Sequence, residues 1–188
     1  MADDPNDPKQ LRVLKKLVAH LEGINPANDD PHTGVPYETN LTGKVYRGRS
    51  VLTIDDAEDA ISILEFPRQE IYAPVGDHGL VRLHSWNLMV QGWPADDPEN
   101  PSDPAYRLLA LVEMRLARLV AEAPQGREGG LYPDEYMLGK HEGQYELASL
   151  IIAPGIVRPP EDAASRLAMF YMPLVLGVRL NVADPYGT

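Results

Sequence analysis

There is no cysteine among the 188 residues. That excludes a disulfide framework and any thiolate zinc site, and such a chain is at ease in a reducing cytoplasm. Aromatic residues are few apart from tyrosine, with two Trp and two Phe against nine Tyr. No apolar run reaches the roughly 18 residues that a bilayer span needs. The beginning, MADDPNDPKQ, is acidic and polar, the opposite of a secretory signal. The expectation is a soluble protein that starts life where it is made. Basic charge is also in deficit, 17 Lys and Arg against 28 Asp and Glu, for a net charge of −11. This opposes broad affinity for nucleic acid, which depends on neutralising phosphates. An acidic surface beside DNA would instead let DNA slide past without sticking.

Catalytic signatures are missing as well. His20, His32, His78, His84 and His141 are scattered and none lies in an HExxH; no serine occupies a GxSxG elbow. Gly126, Gly129 and Gly130 lack the spacing of a phosphate loop. Asp29, Asp30 and His32 have no fourth ligand at a metal-binding spacing and read as a solvated acidic turn. The sequence therefore nominates no catalytic, metal or cofactor residue. Carboxylate pairs made in space are invisible to it, so an enzyme with an unrecognised site stays open as an alternative.

What is present begins with size: 188 residues suit one domain with a real core. The centre is 86–120, WNLMVQGWPADDPENPSDPAYRLLALVEMRLARLV. Trp86, Leu88 and Val90 alternate with Asn87, Met89 and Gln91, the period of a strand. Gly92-Trp93-Pro94 ends it, because proline gives no donor to a ladder. An acidic crossing leads to Asp103-Pro104, a helix start with an aspartate cap and proline at its first position. Leu108, Leu109, Val112, Leu116, Leu119 and Val120 then recur at helical spacing.

Upstream, Asp7-Pro8 repeats the cap logic, with Gln10 as capping-box partner. Leu11, Leu14, Leu17, Val18 and Leu21 form a helical stripe stopped by Gly23. Lys9, Arg12, Lys15 and Lys16 make a basic patch, either a solvated outer face or a docking face for an acidic partner. Residues 25–43 read as a long loop or arm. A strand follows over 44–54, carrying Arg47-Gly48-Arg49, then a charge cluster that turns the chain, and a short apolar strand at 60–65. Turn signals over 71–79 precede the long strand at 80–93. Residues 124–146 form a Gly-, Tyr- and Glu-rich insertion in which Tyr132, Tyr136 and Tyr145 are candidate partner anchors. Two strands close the chain, 147–157 broken at Pro154-Gly155, and 169–182. The order predicts one α+β domain over 1–188: an antiparallel or mixed sheet of about 4–5 strands with two helices on one face, plus long loops.

This order resembles the tail terminator (tail completion) proteins of long-tailed bacteriophages. The resemblance is carried by the N-terminal helix, the turn Arg47-Gly48-Arg49 and the apolar strand before Phe66-Pro67. It continues in the strand from Trp86 into Trp93-Pro94-Ala95-Asp96-Asp97, the Asp-opened helix from Asp103, and the alternating last strand from Phe170. It covers most of the chain as pattern and order, without a signature motif; the loop at 25–43 and the insertion at 124–146 depart from compact members. The resemblance implies a non-enzymatic virion protein of the tail or neck, assembled in the bacterial cytoplasm and without cofactors. Copies would form a homo-hexameric ring on the tail tube protein, stop tube polymerisation and present a joining surface to head–tail connector and neck proteins. DNA would pass through the lumen without specific binding. Such a ring is heterologous, one surface meeting a different one on the next copy. The contact candidates are Arg47, Arg49, Trp93 and Tyr132, Trp93 having the alternative reading of a packed strand end. A head-completion or neck adaptor protein is the neighbouring alternative.

Overall fold

The computed structural model of the chain describes residues 4, 6–30, 33–50, 59–66, 81–121, 131–141, 143–160, 167–181 and 183–186. The elements run α1 (Lys9–Glu22), β1 (Val45–Arg47), β2 (Ala60–Glu65), β3 (Val81–Trp93), α2 (Asp103–Ala117), a short 3-10 turn at Tyr136–Leu138, β4 (Lys140–His141), β5 (Gln144–Tyr145), β6 (Ser149–Ile152), β7 (Ile156–Arg158) and β8 (Met169–Asn181). The fold is α+β. Its main sheet has six strands, more than expected, in the order β1-β2-β3-β8-β6 with β7 also on β8; β4 and β5 form a separate ribbon. The sheet is mixed because β1 runs parallel to β2 while the other pairs are antiparallel.

Alternation decides which residues enter the core. β3 and β8 pair over twelve positions, from Val81 opposite Asn181 to Gly92 opposite Phe170. Trp86, Leu88 and Val90 therefore share a face with Phe170, Met172, Leu174, Leu176 and Val178, all buried. Both helices cover that face. Val13, Leu17 and Leu21 of α1 and Leu108, Val112 and Leu116 of α2 join the same cluster. At Gly92 an added Cβ would lie 2.1 Å from Phe170 Cε1, so the ring occupies the space a side chain would need. On the opposite face Val81, Leu83, Ile151 and Ile156 are 61%, 68%, 60% and 49% exposed.

Several local expectations need correction. The α1 stripe is turned towards Val13, Leu17 and Leu21, leaving Leu11, Leu14 and Val18 half-buried. Pro8, not Asp7, occupies the N-cap and no capping box forms. The Asp7 carboxylate is taken by Lys15 Nζ at 2.5 Å instead. In α2 the cap is Ser102, without a side-chain cap bond, and Asp103 stands in the first turn, where its charge favours the helix dipole. Gly23 ends α1 with an ordinary φ of −65°. Its requirement is room: an added Cβ would sit 2.4 Å from Arg115 Nη2.

The described parts of 25–43 are irregular but anchored to the core. Ile24, Tyr37 and Leu41 are buried, Asp29 bridges to Pro36, and Leu41 N donates to the Ile24 carbonyl. The expected strand at 44–54 is observed as Val45–Arg47, turning at Gly48 with φ 75°. The rest of that strand past Ser50, most of the following charge cluster, the turn at 71–79, and Gly126, Gly129, Gly130, His32 and His78 lie outside the described residues. The strand expected at 147–157 is two strands, β6 and β7. Ile152 faces Leu174 while Ile156 faces Tyr171, so four steps on one side meet three on the other: a β-bulge. Gly155 sits at that bulge, where a Cβ would lie 2.4 Å from Leu109 Cδ1 of α2.

Candidate functional site

The C-terminal ends of α1 and α2 converge, which brings together two sets of carbonyls lacking intrahelical donors. The chain satisfies them reciprocally. Arg115 Nε donates to the His20 carbonyl at 2.8 Å, and His20 Nε2 lies 2.7 Å from the Arg115 carbonyl. An acceptor there places the ring proton on Nε2 of the neutral imidazole. Cations at this point also oppose the partial negative charge of two helix ends.

Residues 131–141 and 143–147 form a strap laid across this junction and along α1. Leu131 N donates to the Ala121 carbonyl and Met137 N to the Leu119 carbonyl. Glu135 binds Arg118 Nη2 at 2.6 Å through Oε1; its Oε2 stands 3.3 Å from Arg115 Nη1 and 3.4 Å from His20 Nδ1. Further on, Glu146, with a fully buried side chain, accepts from Arg12 Nε at 3.0 Å and Lys16 Nζ at 2.9 Å. Arg12 Nη1 also donates to the Tyr186 carbonyl at 3.0 Å. Glu135 and Glu146 thus each face two cations of α1 or α2 and its end, the condition under which buried charge is tolerated. Met137 and Leu138 hold φ of 50° and 62° in the left-handed region, a conformation that side chains resist.

Between strap and α1 lies a cleft of about 660 Å³, walled by Asp7, Lys15, Lys16, Arg115, Glu135 and Lys140 among others. A second cleft of about 540 Å³ shares Arg12 and adds Lys9 and Arg179. Together they are lined by seven Lys and Arg and five Asp and Glu, the reverse of the chain's own balance.

His20 and Glu135 come from distant segments and meet at this wall, where an acid–base pair could be suspected. Burial, then the Arg115 charge, push the His20 pKa down to about 3, against the raising effect of its bond to the Arg115 carbonyl. So weak a base does not take a proton at neutral pH. The arrangement fastens the helices to the strap. Among the described residues no group of three or more His, Asp or Glu could hold a metal ion, and no helix is long and apolar enough to cross a membrane.

The contact candidates from the sequence fall in three places. Arg47 is exposed at the end of edge strand β1, and Arg49 is half-buried with its guanidinium 4.6 Å from the Tyr46 ring centroid. Trp93 is 5% exposed at the end of β3, opposite Ala60, so it is packed against its own chain. Tyr132 belongs to the strap, its ring 4.2 Å below the Arg118 guanidinium. Tyr136 and Tyr145 pack edge to face at 5.2 Å, with Lys140 Nζ 4.9 Å from the Tyr145 ring. The tyrosines' faces are therefore spent largely within the chain. Sequence reasoning found the basic patch of α1 but missed Glu146 and Glu135. Glu146 lies 134 residues from Arg12 and 130 from Lys16, beyond any local periodicity. The chain matches no protein-family model and no curated protein.

Proposed function

We propose that the protein is a non-catalytic ring component of a phage tail, closing the tail tube as a terminator and joining it to the neck. The observation that carries this reading is the one-sided sheet. Both helices lie on the inner face, while Val81, Leu83, Ile151 and Ile156 stand exposed on the other. A sheet face bearing exposed large apolar side chains is the kind of surface that meets another subunit. Arg47 stands exposed at the far edge of the sheet, in register with Ile63 and Val90 of the inner face, and offers a separate polar contact. The N-terminal helix, two strands, long strand, second helix and closing long strand follow the order by which the sequence resembles tail terminators. A net charge of −11 suits a lumen along which DNA moves freely.

The test is to assemble particles without the protein and measure their tails, then to add the purified protein to polymerising tube protein. Tails of irregular, overlong length, and tube ends capped by rings, are the expected results. Tails of normal and uniform length in its absence would rule the reading out. Copy number in intact particles separates a terminator from a neck adaptor of different ring size.

A further inference from the structure

Within the basic patch of α1, Glu146 holds Arg12 and Lys16, and Asp7 holds Lys15. We propose that the cation-rich cleft beside α1 receives the acidic loop 95–100 of a second copy of this chain, in a head-to-tail contact. The inference rests on the ring reading only for its expectation of repeated copies.

Four observations favour that occupant. The cleft reverses the sign of the chain, and Lys140 at its rim is exposed. Lys15 spends one donor on Asp7 and has others to offer, since an ammonium carries three. The loop has the complementary charge in a fixed shape. Asp97 Oδ1 accepts from Glu99 N at 3.0 Å and Asn100 N at 3.1 Å, and Ala95 N donates to Asp59 Oδ1 at 2.9 Å. Asp96 and Glu99 are left exposed on that turn. A loop held this way loses little freedom on docking.

Position then decides that the donor is another molecule. The loop precedes α2, whereas Arg115 in the last turn of α2 lines the cleft. A helix of 15 residues separates the two by about 22 Å. One chain therefore presents acid at one end of α2 and a cationic cleft at the other. A contact between unlike ends of like molecules is heterologous, and it propagates into a ring or a filament. Duplex DNA suits the cleft less well, because three carboxylates, Asp7, Asp134 and Glu135, are interleaved with its cations.

Sedimentation of the full chain from micromolar to millimolar concentration, at low and high salt, tests the contact. Two variants are needed: Asp96→Lys with Glu99→Lys, and Lys15→Glu with Lys140→Glu. Wild type should self-associate, less at high salt, and each variant alone about tenfold or more weakly. An equimolar mixture of the two should regain association, because the reversed loop of one matches the reversed cleft of the other. A wild type monomeric throughout, variants that associate like wild type, or a mixture no stronger than its parts would overturn the proposal. So would a cleft variant that loses only retention of duplex DNA. Rings that cap tubes whatever these charges are would sink this contact and leave the terminator reading standing. Charge-dependent self-association without tube capping would do the reverse.

Discussion

On the inner face of the sheet, Trp86, Leu88, Phe170 and Leu176 are 2% exposed or less, and hydrocarbon packing holds β3, β8 and the helices together. Each such side chain contributes about 1.5–3 kcal/mol by leaving water. The strap across the two helix ends buries Leu138 and Leu147 in the same core, but adds a second kind of hold, Glu135 and Glu146 facing Arg12, Lys16, Arg115 and Arg118. Buried ion pairs return little net stability once desolvation is counted, yet losing one partner is costly. The sheet is thus fastened by strength and the strap by fit. The first should ignore pH and salt over a wide range, and the second should not.

The sharpest way to break this contrast is acid. The folded pKa of His20, about 3, lies below its ordinary 6.5. Below pH 6.5 the unfolded chain binds a proton that the folded chain refuses until near pH 3. Stability from this group is therefore full above pH 6.5 and is lost as pH falls, by roughly 4–5 kcal/mol across the window. Urea unfolding at stepped pH should show this fall, and His20→Gln should flatten most of it. A wild-type profile that stays level from pH 6.5 to 4 would remove the distinction between the regions.

Next in size, Glu146→Ala strands Arg12 and Lys16 and should cost about 3 kcal/mol, the low end for a broken buried pair. Arg12 keeps the Tyr186 carbonyl, which limits the loss. Hydrogen exchange should locate the damage in the strap, with the β3 and β8 amides still protected. Gly92→Ala sharpens the other half of the comparison. The new methyl meets the Phe170 ring, and overpacking should destabilise by about 1–3 kcal/mol, equally at pH 7 and pH 5 and at any salt. The smallest effect belongs to Arg47→Ala on the exposed edge: a thermal melt should move by no more than about 0.5 kcal/mol allows, while ring formation on tubes weakens.

The same division explains what could be read from the amino acids alone. β3, β8 and α2 declare themselves because burial on one side of a regular element leaves a period in the sequence. Asp7 meets Lys15 only eight residues on, in place of a cap, whereas the turn of α1 towards Val13 depends on neighbours supplied from elsewhere in the chain. Glu146 reads locally as one more acid in a polar insertion; only the fold carries it beneath Arg12. The candidate site was half legible for this reason. Its cations follow one another along a helix, and its carboxylates arrive from far downstream. Trp93 shows the converse, a residue whose size invites a contact role but whose strand end is packed by its own chain.

The bulge between β6 and β7 has a consequence for how copies can meet. Those strands form the outer rim of the sheet beside β8. The rim breaks after Ile152, passes Pro154, which has no amide hydrogen, and resumes for only three residues. A neighbouring strand laid along it would find no straight row of amides and carbonyls to zip onto. Backbone templating, which is hard to reverse and indifferent to sequence, is discouraged on this side. Copies are left to recognise one another by side chains, so a misplaced neighbour can let go and try again before the assembly closes.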